Sequence, residues 1–209
     1  MKIEQGYYFP TPIWTVEVPD HEPLDTGLIA FVERLRAQDP GGVQKSNLMG
    51  WQSRSDLHRD PAFAPLAALV LGVADAITPQ FEVFPDAVLD IQNAWANANP
   101  YGASNAPHVH AGSALSGSYY ARTPENCGDI EFLDPRGAAV TARPVYPQER
   151  PNVLTNSRFT LRARAGLLVL FPGWLQHYVH PNRSQEDRIS FAFNLGFVHR
   201  NQRAEPDGA

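Results

Sequence analysis

The sequence predicts a mainly β fold with flanking helices, in which two N-terminal helices pack on one face of an antiparallel sheet structure of the sandwich or jelly-roll kind. Three observations carry this. Helical periodicity is confined to the part of the chain before Phe84-Pro85, whereas short strand-like stretches broken by Gly, Pro and Asn fill the part after it. Strands of that size and number suit a sheet folded over on itself, which manages its edges. The 209 residues, 43% hydrophobic and 19% charged, are enough for one substantial core and too few for two. One domain, 1–209, is expected, with 201–209 as a frayed tail.

The elements follow in order. Tyr7 to Val18, aromatic and β-branched with two prolines, suggests an edge or entering strand. Leu24 to Gln38 repeats apolar residues at Leu24, Leu28, Phe31, Val32 and Leu35, a helical period that stops before Asp39-Pro40-Gly41-Gly42. Pro61 to Ile77 is a second helix, starting near Pro61 or Pro65 and apolar enough to be largely buried. Six strand-like stretches come next: AVLDIQNAWANAN, SALSGSYYART, GDIEFLDP, RFTLRARAG, LLVLFP and RISFAFNLGFV. Thr141 to Ser157 is the most loop-like interior segment, of the length that often covers a site.

Bulk properties narrow the function classes. A formal net charge of -5 argues against sequence-independent binding to nucleic acid, which needs a basic surface. The single cysteine, Cys127, leaves no disulfide framework and fits a reducing compartment. The N-terminus MKIEQGYYFP lacks the apolar run of a signal peptide, and the longest apolar run, LAALVLGVA, is short for a membrane span. The expected setting is cytoplasmic, with no membrane partner. Nothing in the sequence decides for or against a homodimer.

The chemistry-bearing residues begin with His108-Val109-His110. In an extended segment the period of two points both imidazoles to one face, an economical way for a strand to offer two ligands to one metal. His177 follows the apolar strand Leu167 to Phe171 and a Pro-Gly turn, which places it near the mouth of a sheet. His180 competes with it for the third ligand position. Arg188 and Ser190 share one face of the last strand with Ala192 and Asn194, opposite Phe191 and Phe193. An arginine directed into a pocket requires an anion, and its planar fork suits a carboxylate. The alternative for Arg188 is an ion pair with Glu186 or Asp187.

Taken together, His108-x-His110, His177 and Arg188-x-Ser190 resemble the motif set of the double-stranded β-helix Fe(II)/2-oxoglutarate-dependent oxygenases. The segments HVH, LSGSYY, IEFLDPR, AGLLVLFPGWLQHYVHPN and RISFAFN, with Trp95, Asn97 and GWQSRSDLH, are similar to bacterial and phage members of the 2OG-Fe(II) oxygenase type. The resemblance implies a double-stranded β-helix with the two helices on its major sheet. It also implies Fe(II) on the three histidines and 2-oxoglutarate as co-substrate. Arg188 would then pair with the co-substrate's distal carboxylate, helped by Ser190 or by Tyr119, while Asn97 and Asn105 would orient a carboxylate or a ligand histidine.

One departure stands out, because His110 occupies the place where the superfamily usually has Asp or Glu. Asp129 or Glu131 could supply a carboxylate from a neighbouring strand, and Trp95 and Trp174 could frame the entrance. The reaction implied is dioxygen-dependent hydroxylation of an unidentified small-molecule or peptide substrate. The alternatives are a cupin-like three-histidine dioxygenase working without 2-oxoglutarate, and a non-enzymatic barrel that binds a metal or a small acid.

Overall fold

The computed structural model describes residues 2–4, 9–137 and 156–203. It has a six-stranded sheet and a five-stranded sheet, both antiparallel, with two helices laid on the outer face of the larger. In chain order the main elements are β1 (Trp14–Glu17), α1 (Glu22–Gln38), β2 (Asn47–Leu48), β3 (Trp51–Gln52), α2 (Ala64–Ile77), β4 (Ala87–Asn99), β5 (Ser104–His108), β6 (Leu115–Arg122), β7 (Ile130–Leu133), β8 (Arg158–Leu161), β9 (Leu167–Pro172), β10 (His177–Val179) and β11 (Arg188–His199). The major sheet runs β1-β9-β6-β11-β4-β3 and the minor sheet β2-β5-β10-β7-β8.

Local chemistry sets the helices. A proline in the first turn, Glu22 and Asp25 beside it, and Arg36 in the last turn suit the helix dipole of α1. Its buried stripe is Leu28, Phe31, Val32 and Leu35. Asp60 accepts a hydrogen bond from the Ala62 amide at 3.0 Å and so caps the turn that leads into α2. That helix buries Leu66, Val70, Ala74 and Ile77 over β4. The β4 side chains beneath are the small Ala94, Ala96 and Ala98, while β11 sends Phe191 and Phe193 into the same core. Phe191 lies 6.5 Å from Phe31 and 6.1 Å from Phe63, ring centre to ring centre. The helical stretch Pro61–Phe81 is long and apolar enough to span a bilayer by length and composition. The burial of Phe63, Leu66, Val70, Ala74 and Ile77 against the sheet is that of a core helix.

The other face of the major sheet is polar. Alternation turns Asn93, Trp95, Asn97 and Asn99 of β4 to this side, with Arg188, Ser190, Ala192 and Asn194 of β11 and Ser116, Ser118 and Tyr120 of β6. The minor sheet stands across from it, and no closed barrel forms among the described residues. The entering strand predicted over Tyr7 to Val18 is the short edge strand β1. The loop expected over Thr141 to Ser157 falls almost wholly outside the described residues, as does most of the expected tail. Within that tail, Arg203 pairs with Asp75 at 2.6 Å.

Candidate metal centre

Two strands of the minor sheet and the turn after one of them bring three histidines together. His108 ends β5 and lies directly opposite His177, the first residue of β10. His110 stands just beyond β5, where its amide donates to the Gly173 carbonyl at 2.8 Å. Gly173 fits closely: an added Cβ would stand 2.4 Å from the Ser113 carbonyl oxygen and 3.0 Å from that of His110. The ring centres are 4.4 Å apart for His108 and His177, 5.0 Å for His108 and His110, and 5.2 Å for His110 and His177. One ligand nitrogen from each lies within 4.8 Å of the other two.

The donor set fits a transition metal. The Nδ1 of His108 donates to the Ala106 carbonyl at 2.7 Å, and that of His177 to the Leu175 carbonyl at 2.9 Å. Each bond places the ring proton on Nδ1 and leaves the Nε2 lone pair for a metal, as the outer hydrogen bond of a ligand histidine does. Burial keeps the imidazoles neutral: it pushes His177 down to about 3 and His110 to about 4, each also opposed by neighbouring histidines, and it lowers His108. Phe171 packs 4.6 Å from His177, and Trp95 stands 5.7 Å from His110.

Arg188 lies in the same pocket and is 1% exposed. Its Nη1 donates to the carbonyls of Cys127 and Gly128, both at 2.9 Å, and its buried Nε has no partner among the described residues. Neither acid proposed from sequence pairs with it: Asp187 bonds Arg36 at 2.7 Å, and the Glu186 carbonyl accepts from Asn182. A desolvated guanidinium with no carboxylate partner among the described residues is set up to receive an anion. Gly128 makes the seat possible, having φ +86° and no room for a Cβ, which would stand 2.2 Å from the His180 carbonyl oxygen.

Ser190, Asn97 and Asn105 line this pocket with the three histidines. The buried Oδ1 of Asn97 has no partner among the described residues, and Asn105 donates to the Ser46 hydroxyl at 3.3 Å. Tyr119 requires a correction. It belongs to the helix-side core, where its hydroxyl donates to Asp25 at 2.6 Å. Tyr120 is the pocket tyrosine, and burial pushes its hydroxyl up to about 12, so it remains a donor. The alternation of Ser116, Ser118 and Tyr120 against Leu115, Tyr119 and Ala121 is the signal that identifies it. His180 and the two acids lie outside the centre. His180 bonds Glu131 at 2.9 Å, Glu131 also meets Arg158 at 3.2 Å, and Asp129 accepts from the Ala163 amide at 2.9 Å. Trp95 lines the pocket, whereas Trp174 is largely exposed.

Residues 93–194 match the family model described as "Putative 2OG-Fe(II) oxygenase". No curated protein matches the chain. Among solved structures it is similar to a Pseudomonas putida prolyl-4-hydroxylase, with a TM-score of 0.62 and 14% identity over 92% of this chain and 93% of that one. It is also similar to SnoK, a non-haem alpha-ketoglutarate-dependent carbocyclase from nogalamycin biosynthesis, with a TM-score of 0.63 and 12% identity over 91% of this chain and 82% of that one. HygX from Streptomyces hygroscopicus, solved with nickel, 2-oxoglutarate and hygromycin B bound, gives a TM-score of 0.58 and 14% identity over 89% of this chain and 83% of that one. Identities this low speak for a shared fold. The chain therefore shares the double-stranded β-helix fold of these oxygenases, and the stretch that matches the family model carries His108, His110 and His177 as an all-histidine cluster.

Proposed function

We propose that the chain is a non-haem metal-dependent oxygenase whose metal is held by His108, His110 and His177. The observation that carries this reading is the convergence of three neutral imidazoles, with ligand nitrogens within 4.8 Å of one another, inside a pocket. When bound there, iron or a similar metal supplies redox and Lewis-acid chemistry toward dioxygen and an organic ligand. The chain's own residues supply the placement. The Ala106 and Leu175 carbonyls hold two of the rings, and Trp95 and Phe171 shield the centre from water. Arg188 takes a carboxylate, with the Tyr120 and Ser190 hydroxyls beside it as further donors.

The ligand set favours a three-histidine dioxygenase that works without 2-oxoglutarate, since no carboxylate joins the triad among the described residues. Arg188 supports a second reading. A buried guanidinium sharing the metal pocket fits the distal carboxylate of 2-oxoglutarate, the co-substrate that HygX binds. On that reading the outcome is hydroxylation of a small molecule or peptide.

Anaerobic visible absorption separates these readings. Fe(II) is titrated first and 2-oxoglutarate second, into wild type and Arg188→Met. A charge-transfer band that needs both additions and fades in Arg188→Met establishes the co-substrate. Fe(II) binding with no response to 2-oxoglutarate leaves the three-histidine dioxygenase, provided the protein consumes oxygen when supplied with small carboxylates. Metal that only raises the melting temperature, with no oxygen consumption, marks a non-enzymatic barrel.

A further inference from the structure

Beyond the histidine cluster, on the side away from Arg188, the polar face of the major sheet carries a chain of hydrogen bonds that none of the roles above uses. The Ser116 hydroxyl donates to Asn194 Oδ1 at 2.6 Å, and Asn194 Nδ2 donates to Asn93 Oδ1 at 2.9 Å. The three residues form one row across β6, β11 and β4. The adjacent row is Ser118, Ala192 and Trp95, and Trp95 faces His110. Two residues of strand separate the rows, about 7 Å. Ser116 also lies opposite Phe171, which packs on His177. The row therefore lies one step along the sheet from the side chains that pack on the histidines.

The direction of the chain is fixed by burial. Ser116 is 1% exposed, and its hydroxyl has no other acceptor among the described residues. Reversing both amides would strand that buried O–H, at a cost of the order of a lost hydrogen bond. The outward end is therefore the Nδ2 of Asn93, a donor on a half-buried residue, made stronger by the two bonds behind it. The β4–β11 register shifts just beyond this row, and an irregularity of that kind re-aims a side chain and is common beside active sites.

The surroundings disfavour an anion. Asp56 bridges to β4 at Ala94, next to Asn93, and the nearby Arg54 is already paired with Asp56 and Asp60. Resting on the oxygenase reading, we infer that Asn93, Asn194 and Ser116 seat the primary substrate and that the group they take is a neutral carbonyl oxygen, as in an amide or ketone. Arg188 then takes a carboxylate inside the pocket, and this row, one strand step beyond the pocket lining of Ser118, Ala192 and Trp95, takes the carbonyl-bearing substrate.

The test uses the Co(II)-loaded protein with N,N-dimethylacetamide, a neutral acceptor, and methylammonium, a donor, as probes. Paramagnetic broadening of each probe's methyl protons is read against a Zn(II)-loaded control. Wild type should broaden dimethylacetamide strongly and methylammonium little. Asn93→Asp keeps an oxygen for Asn194 and turns the outward donor into an acceptor, so dimethylacetamide broadening should fall about fivefold while that of methylammonium rises. Ser116→Ala, which removes the hydroxyl that fixes direction, should narrow the difference between the two probes. Dimethylacetamide left unbroadened by wild type, or broadened equally by wild type and both variants, overturns the carbonyl seat. The Co(II) absorption of each protein reports the metal site separately, and a wild type that takes up no Co(II) overturns the oxygenase reading itself.

Discussion

At the scale of residues, the centre depends as much on what surrounds the histidines as on the histidines themselves. Gly173 shows this most sharply, since a Cβ there would press on the carbonyls of Ser113 and His110. Gly173→Ala should cost about 1–3 kcal/mol of stability as an overpacked site. It should also weaken metal binding by about tenfold, the scale on which groups behind the ligands act. Denaturant melts and a metal titration of the variant check the two effects separately. The clustering of His108, His110 and His177 was legible in the sequence from their spacing, although the strand ends at His108 and His110 reaches the cluster from the turn beyond it, and Arg188 was legible from alternation along β11. The partner tyrosine was legible by the same rule applied to β6, yet a motif reading settles on Tyr119 because the two tyrosines are adjacent. Gly173 was not legible. Its φ is not in the left-handed region, and only the approach of two distant carbonyls shows why it must be glycine.

At the scale of elements, α1 is locked to β6 by a buried polar contact. Tyr119 donates to one oxygen of Asp25, and the other oxygen lies 2.6 Å from His21 Nδ1. Asp25→Ala leaves the buried Tyr119 hydroxyl without its acceptor and should destabilise the protein by about 1–3 kcal/mol. Because the contact lies on the helix side of the sheet, metal affinity should stay within about twofold of wild type, the margin expected for sites that share no partner. Chemical denaturation of the apo-protein and metal titration of the folded variant test both halves. The helix periods and the longest strand were readable in advance, β4 spanning the stretch that the sequence marked. The short strands were not. β2 and β3 have two residues each, too few for any period to register. An irregular register between β5 and β10, where His177 faces His108 but Val179 faces Asn105, brings Asn105 to the pocket, and simple alternation from His108 could not have shown that.

At the scale of the whole molecule, two sheets held apart by a polar lining keep three imidazoles neutral in a folded protein without metal. Their ordinary pKa is near 6.5 and the folded values lie below it, at about 4 for His110 and about 3 for His177. Between pH 6.5 and 5 the unfolded chain therefore takes up protons that the folded chain refuses, so the apo-protein must lose stability as the pH falls. His177→Ala should show a shallower loss over that window, by one histidine's contribution, which denaturation midpoints at pH 7.5, 6.5 and 5.5 would measure. The placement of His108 and His177 on the minor sheet, with His110 in the turn after β5 and the buried Arg188 on the major sheet, is a property of the fold that no local pattern reveals. On the proposed reading, His110 is a metal ligand in a triad without a carboxylate. Calorimetric titration of Fe(II) under anaerobic conditions into wild type, His110→Ala and His110→Asp tests it most directly. One site per chain is expected in wild type, with a loss of at least about tenfold in affinity for His110→Ala and retained binding for His110→Asp. Wild-type affinity in His110→Ala would contradict it.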